Sequence, residues 1–507
     1  MTTVDRVAVL GFPADASILA RGIREGWLPT TAAFAAEGRA ALLRHPEPEL
    51  SIAHWRHLLT GRRAAEHLGI YWRLRSGTYR FDFDPSGAAM APPFWSAASD
   101  AGRRCVVMGA QGIRLVEGLR GVQVGGWGMP ARFGPPRSDP PEMLARLEAR
   151  AGSWKAVPLR VPRDREERIE LGAHLVRRVR QAADGIVALA GEVPWDLLFG
   201  SVAEPHDAEH LLWPRAARAG APVPDPRSDL PADDPLFAAH RALDAELPRI
   251  LDALPDGTAI LFVSPQGMQG NARPGDPIPQ LLARGGWLAR SAAVPGALDR
   301  GRRLARRLLP RAVRGVIGRR IPRHRWDADL GLAGVDWKRT RAFPIPTHSM
   351  VSLVRANLAG REPAGTVAPG PEYGRVCEDV ATMAGELVDA ETGRLVVQDV
   401  VRIAGGDAPP TGGLPDLSVM WSGGDHPVWR YRSPSLGEVE VRERDPRPGM
   451  HRPDGYVLAR VPDVDPDGRD GFSLEGSHLD VGPTVLRLLD VPLPGDLPGS
   501  PLEEMLP

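Results

Sequence analysis

The chain has 507 residues, 43% apolar and 25% charged, with 63 basic and 63 acidic side chains. A zero net formal charge excludes a general nucleic-acid binder, which needs a basic surface to meet the phosphate backbone. No apolar run approaches the roughly 20 residues of a membrane span, and 56 glycines with 52 prolines predict ordered loops between short regular elements.

In chain order, the N-terminus runs directly into the strand-like Val7–Gly11 without a basic and apolar leader pattern, so no signal peptide is expected. Further short apolar runs end at Gly, Pro or polar residues: Cys105–Gly109, Trp195–Val202, Ala259–Ser264 and Leu417–Trp421. Unbroken apolarity marks strands covered on both faces, as in a largely parallel sheet. Helical patterns fall between them, at about 17–37, 53–60, 141–151, 166–184, 236–254 and 375–388. This alternation predicts an α/β fold, a doubly wound and mostly parallel central sheet with a smaller inserted α/β subdomain. The expected division is a first core part at 1–295, a basic helix with the inserted subdomain at 296–410, and a closing core part at 411–507. Ligands in such sheets bind beyond the carboxyl ends of the strands.

Cys105 and Cys377 lie far apart among apolar neighbours. They are expected as buried thiols rather than ligands or a disulfide, which suits a reducing cytoplasm. Between 300 and 325, Arg302, Arg303, Arg306, Arg307, Arg311, Arg314, Arg319 and Arg320 interleave with Leu304, Leu308, Leu309, Val313 and Val316. The spacing predicts a basic amphipathic helix interrupted at Pro310. It serves either an anionic surface or partner around Arg302–Arg320, or simply packs its apolar face onto the domain. Trp72, Tyr79 and Trp127 are read as pocket liners or packing anchors.

After the strand that ends near Val202 comes Glu204-Pro-His206-Asp-Ala-Glu-His210-Leu-Leu-Trp213. His206 and His210 are four apart, so a helix puts both on one face. A third imidazole, His451, lies in the turn-rich Gly449–Gly455. Three histidines leaving one position open suit a zinc-type Lewis acid; surface decoration is the alternative reading of the pair.

The order of motifs resembles the type I phosphodiesterase/nucleotide pyrophosphatase branch of the alkaline phosphatase superfamily. Its opening strand and turn are matched by Val7–Asp15, its Gly-x-Leu-Pro element by Gly26–Pro29, and its nucleophile position by Ser51, with Thr60-Gly61 following. Further matches are Glu204–Trp213, Leu261–Met268, Asn357–Gly365, Gly449–Gly455 and Asp480–Leu489. The resemblance implies a hydrolase of small phosphoesters using two divalent metals, usually zinc, with Ser51 as nucleophile. One metal would fall to His206, His210 and His451. The second would need ligands where this chain carries Pro13, Ser51, Pro265 and Gln266; proline has no side-chain donor and Gln is a poor zinc ligand. The expectation is therefore a divergent enzyme with one intact metal site and weak turnover. The alternatives are a repurposed enzyme with a three-His metal site and a non-catalytic relative used for binding. Asp15 is the candidate hidden ligand, Ser51 is alternatively a cap for the helix near Ala53, and His54 and His57 are read as bases or solvated helix residues.

Overall fold

The computed structural model describes residues 4–50, 54–67, 72–83, 91–130, 133–155, 159–215, 221, 223–291, 332, 334–347, 350–404, 408–410, 412–424, 426–443, 445–466 and 471–507. Ser51 and the arginine run at 302–320 lie outside the described residues.

The main sheet has nine strands, in the spatial order Leu474–Ser477, Arg39–Arg44, Gly455–Arg460, Ala259–Ser264, Val7–Gly11, Leu197–Ser201, Cys105–Met108, Gly121–Gly125 and Arg137–Asp139. Five pairings are parallel and three antiparallel, which gives the mostly parallel α/β sheet the sequence predicts. The central strand Val7–Gly11 lies between Leu197–Ser201 and Ala259–Ser264, parallel to both, and every residue of all three is buried. Successive side chains alternate between two separate cores: Ala8, Leu10, Leu198, Ile260 and Phe262 in one, Val7, Val9, Leu197, Leu261 and Val263 in the other. Cover on both faces explains why these runs are apolar throughout rather than alternating.

Helices form where capping signals precede amphipathic stretches. Asp15 starts Ala16–Arg24 by accepting from the backbone N–H groups of Ser17 and Ile18. The single helix expected over 17–37 is two, Ala16–Arg24 and Pro29–Ala36. Gly26, at a positive φ of 75°, reverses the chain between them, and Pro29 opens the second.

Two expectations need correction. Leu417–Trp421 is a strand, but it belongs to a separate four-stranded antiparallel sheet with Ala342–Ile345, Val351–Ala356 and Val397–Arg402. The inserted unit therefore does not end at 410. It continues through the three-stranded sheet of Val388–Asp389, Arg430–Ser433 and Gly437–Glu440, sharing one core with Ile278, Leu281, Tyr373 and Trp421. The chain rejoins the main body at Gly449–Arg452, which pairs antiparallel with Gly267–Gly270 to form a short two-stranded ribbon. Among the described residues, no helix is long and apolar enough to cross a membrane.

A three-histidine cluster at the carboxyl edge of the sheet

Val7–Gly11, Leu197–Ser201 and Ala259–Ser264 run side by side in parallel, so the chain leaves all three at one edge. Pro13, the helix Glu204–Leu212, Pro265 and Gln266 follow those strand ends directly. The ribbon adds His451, whose cross-strand partner is Met268. Of the sequence-predicted positions, Pro13, His206, Pro265 and His451 thus share this edge, and Ser51 lies outside the described residues.

His206 and His210, one turn apart, have ring centroids 4.4 Å apart, and that of His451 lies 5.0 and 4.8 Å from them. Nε2 of His451 is 3.0 Å from Nε2 of His210 and 3.2 Å from Nε2 of His206. His210 is oriented from behind: its Nδ1 donates to the Gly449 carbonyl at 2.8 Å. That bond fixes the tautomer and turns the Nε2 lone pair into the cluster. Burial, then the neighbours His210, His206, His54 and Arg447, holds the His451 imidazolium well below its ordinary range. A neutral ring is the form that ligates.

Ligand atoms of the three residues all lie within 4.8 Å of one another, the single such group of three or more among the described residues. Zinc binds imidazole nitrogen at about 2.0–2.1 Å, which sets the nitrogens of a tetrahedral site about 3.4 Å apart. The donor set and its spacing fit such an ion.

Two further groups reach the cluster. The Gln266 amide lies 3.1 Å from Nε2 of His206 and 3.4 Å from Nε2 of His451. Arg447 approaches Nε2 of His210 at 3.2 Å, while Asp445 accepts from its Nε at 2.8 Å. The helix itself is held by Glu209, between the two histidines. Its fully buried carboxylate accepts from the Asp15 backbone N–H at 3.0 Å and sits 2.9 Å from Nε2 of His240. Burial pushes the Glu209 carboxyl up, opposed by His240.

Asp15 does not reach in as a ligand. One carboxylate oxygen accepts from Ser17 and Ile18, the other from the Met268 N–H at 2.9 Å, so it joins the first helix to the ribbon that carries His451. His54 and His57 are not solvated: both are buried, with His45 and His478. Trp72 and Trp127 are buried in the cores, and Tyr79 stacks on Trp337 at 3.5 Å while its hydroxyl donates to Asn357. All three aromatics are packing anchors. Cys105 and Cys377 are free and buried as expected. Asn357 ties its loop together by donating to the carbonyls of Trp337, Thr340 and Ala364, so that part of the motif pattern is structural.

The fold is alkaline phosphatase-like: wild-type alkaline phosphatase PafA superposes with a TM-score of 0.53 at 10% identity, covering 100% of both chains. The family model for type I phosphodiesterase / nucleotide pyrophosphatase matches residues 11–316, and the chain belongs to that family. Phosphonoacetate hydrolase from Sinorhizobium meliloti 1021 is also similar (TM-score 0.49, 13% identity, 96% of each chain), as is murine ectonucleotide pyrophosphatase/phosphodiesterase 5 (TM-score 0.47, 13% identity, 98% of this chain and 97% of that one). No curated protein matches the sequence.

Proposed function

We propose that the protein hydrolyses small phosphoesters as a divergent phosphodiesterase of this family, with one divalent metal, zinc by its donor set, held by His206, His210 and His451. The observation that carries the reading is the convergence of three imidazole Nε2 atoms at the sheet edge where the family conducts its chemistry. A bound divalent ion supplies Lewis acidity toward a phosphoryl oxygen. The chain's own groups do the rest. His210, pinned by Gly449, keeps a lone pair directed inward. Arg447, next to His210, offers a guanidinium to the ester's negative charge. Gln266 provides an amide within reach of the same space.

Pro13 and Pro265 offer no donor where the family's second metal is expected, so the proposal includes one metal per chain and slow turnover. Ser51 is the nucleophile by resemblance; with no second metal to ionise it, its contribution is expected to be minor.

Metal analysis of protein purified without added metal or chelator, followed by assay on an aryl phosphodiester, tests the reading. One equivalent of metal and weak, chelator-sensitive hydrolysis would support it. Bound metal with no phosphodiester turnover would favour a repurposed three-His enzyme, and neither metal nor turnover a non-catalytic binding relative.

A further inference from the structure

In an antiparallel ribbon, directly opposed residues share a face and successive residues alternate. Met268 and His451 therefore share the face toward the three histidines, while Gln269, Met450 and Arg452 lie on the other. Gln269 and Arg452 line a cleft of about 480 Å³ between the main body and the inserted subdomain, and neither the three histidines nor Gln266 lines it.

Four arginines against two aspartates line this cleft. Among the described residues Arg452 has a single charged partner, the buried Asp15 at 3.4 Å. Arg227 shares the same carboxylate at 3.7 Å and pairs with Asp225 at 3.4 Å. The Nε atoms of both guanidinium groups are buried and have no hydrogen-bond partner among the described residues, although Nη2 of Arg227 donates to the Met268 carbonyl at 2.7 Å. Such under-bonded donors favour an acceptor-rich anion, which a guanidinium can grip through two parallel bonds. The remaining wall mixes polar side chains, among them Gln269, Thr392 and His426, with apolar ones. The apolar ones include Trp213, Trp421 and Leu395, and Leu395, at 63% exposure, is the most exposed large apolar side chain among the described residues.

We propose that this cleft is a second ligand site, separate from the three-histidine cluster, which takes a small organic oxyanion with a flat apolar body. Arg227 and Arg452 hold the anionic end, and Leu395 and the tryptophans cover the body.

Calorimetric titration of the full chain with naphthalene-2-sulfonate in excess chelator tests this, because the probe has no ester to cleave and the chelator removes metal from the histidines. One probe should bind per chain, with His206→Ala binding as the parent does. Arg452→Gln and Leu395→Asp should each weaken binding about tenfold or more; Leu395 is exposed, so its replacement is expected to leave the fold intact, which thermal melting checks. No saturable binding would overturn the proposal. So would loss of binding in His206→Ala with retention in Leu395→Asp, which moves the probe to the histidines. Equal affinity for inorganic sulfate would overturn the part assigned to the apolar body, and equal affinity for 2-naphthol the part assigned to the arginines.

Discussion

Two groups of histidines lie side by side in this molecule, and their rings are almost equally close. In the first, His206, His210 and His451 have centroids 4.4–5.0 Å apart. In the second, His45 stands 4.8, 4.7 and 5.0 Å from His54, His57 and His478. The difference is aim. The rings of the first group lie 67°, 27° and 48° apart and bring nitrogens together. Those of the second meet His45 edge to face, at 78°, 83° and 85°, which is a packing arrangement of aromatic rings. A backbone bond from behind is common to both groups: Nδ1 of His210 donates to the Gly449 carbonyl and Nδ1 of His57 to the Arg62 carbonyl at 2.9 Å, while Nδ1 of His45 accepts from the Glu47 N–H at 3.1 Å. Proximity alone does not make a ligand set; the direction in which the rings present their nitrogens does. His54 joins the two groups, its ring 5.3 Å from that of His451.

The sharpest way to break this contrast is to remove a ring from each group. His206→Ala and His451→Ala should abolish stoichiometric metal binding and lower any phosphodiester hydrolysis by at least about 10²–10³, the scale for losing one catalytic electrostatic contact. His57→Ala should leave the metal content at one equivalent. If His57→Ala removed the metal and His206→Ala did not, the assignment of the two groups would be reversed.

The second group should instead reveal itself in the pH dependence of stability. Burial lowers the His57 pKa to about 4, and burial with the adjacent His54 and His57 holds that of His478 well below its ordinary value. An unfolded histidine titrates near 6.5, so between about 4 and 6.5 the unfolded state binds protons that the folded state refuses. Stability contributed by these neutral rings is thus present above about pH 6.5 and is lost as the pH falls toward 4. For His57 the loss is on the order of 3 kcal/mol. Denaturant melts at pH 7 and pH 4.5 should show the decline, and His57→Asn should flatten it; a parent protein equally stable at both values would refute the account.

A backbone substitution probes what aims the first group. A Cβ on Gly449 would come within 2.0 Å of the Glu209 carbonyl oxygen, so the ribbon lies against the histidine helix only because this residue has no side chain. Gly449→Ala should cost about 1–3 kcal/mol, the range for overpacking, and weaken metal binding by shifting His451, measured by melting and by chelator competition. The smallest effect is expected from Ser51→Ala, which should lower hydrolysis less than His451→Ala does. Hydrolysis abolished by Ser51→Ala would show that a second metal site exists after all.

Much of the first group was legible in the chain. The spacing of His206 and His210 places both on one helical face, and the motif at Gly449–Gly455 pointed to His451. The second group was not legible. His45 follows a strand, His54 and His57 lie on a short helix, and His478 precedes another helix more than 400 residues further on. No local pattern distinguishes a histidine that packs from one that is solvated, which is why His54 and His57 read as exposed. Glu209 carried a faint signal, an acid between two histidines, but its partner His240 becomes evident only once two helices pack.

The sequence by itself determined which segments are buried strands, where the histidine helix begins, and the order of motifs that marks the family, because these depend on local hydrophobicity, capping and spacing. Only the tertiary structure decided which sheet a buried strand joins. Leu417–Trp421 is as apolar as a main-sheet strand yet pairs with Val351–Ala356 and Val397–Arg402 in the inserted subdomain. An apolar run records that water is excluded from a strand and carries no record of the neighbour that excludes it. The same holds for the site: pairing of Gly449–Arg452 with Gly267–Gly270 brings His451 to His210 across 241 positions of chain, a placement set by backbone hydrogen bonds and the bare face of Gly449.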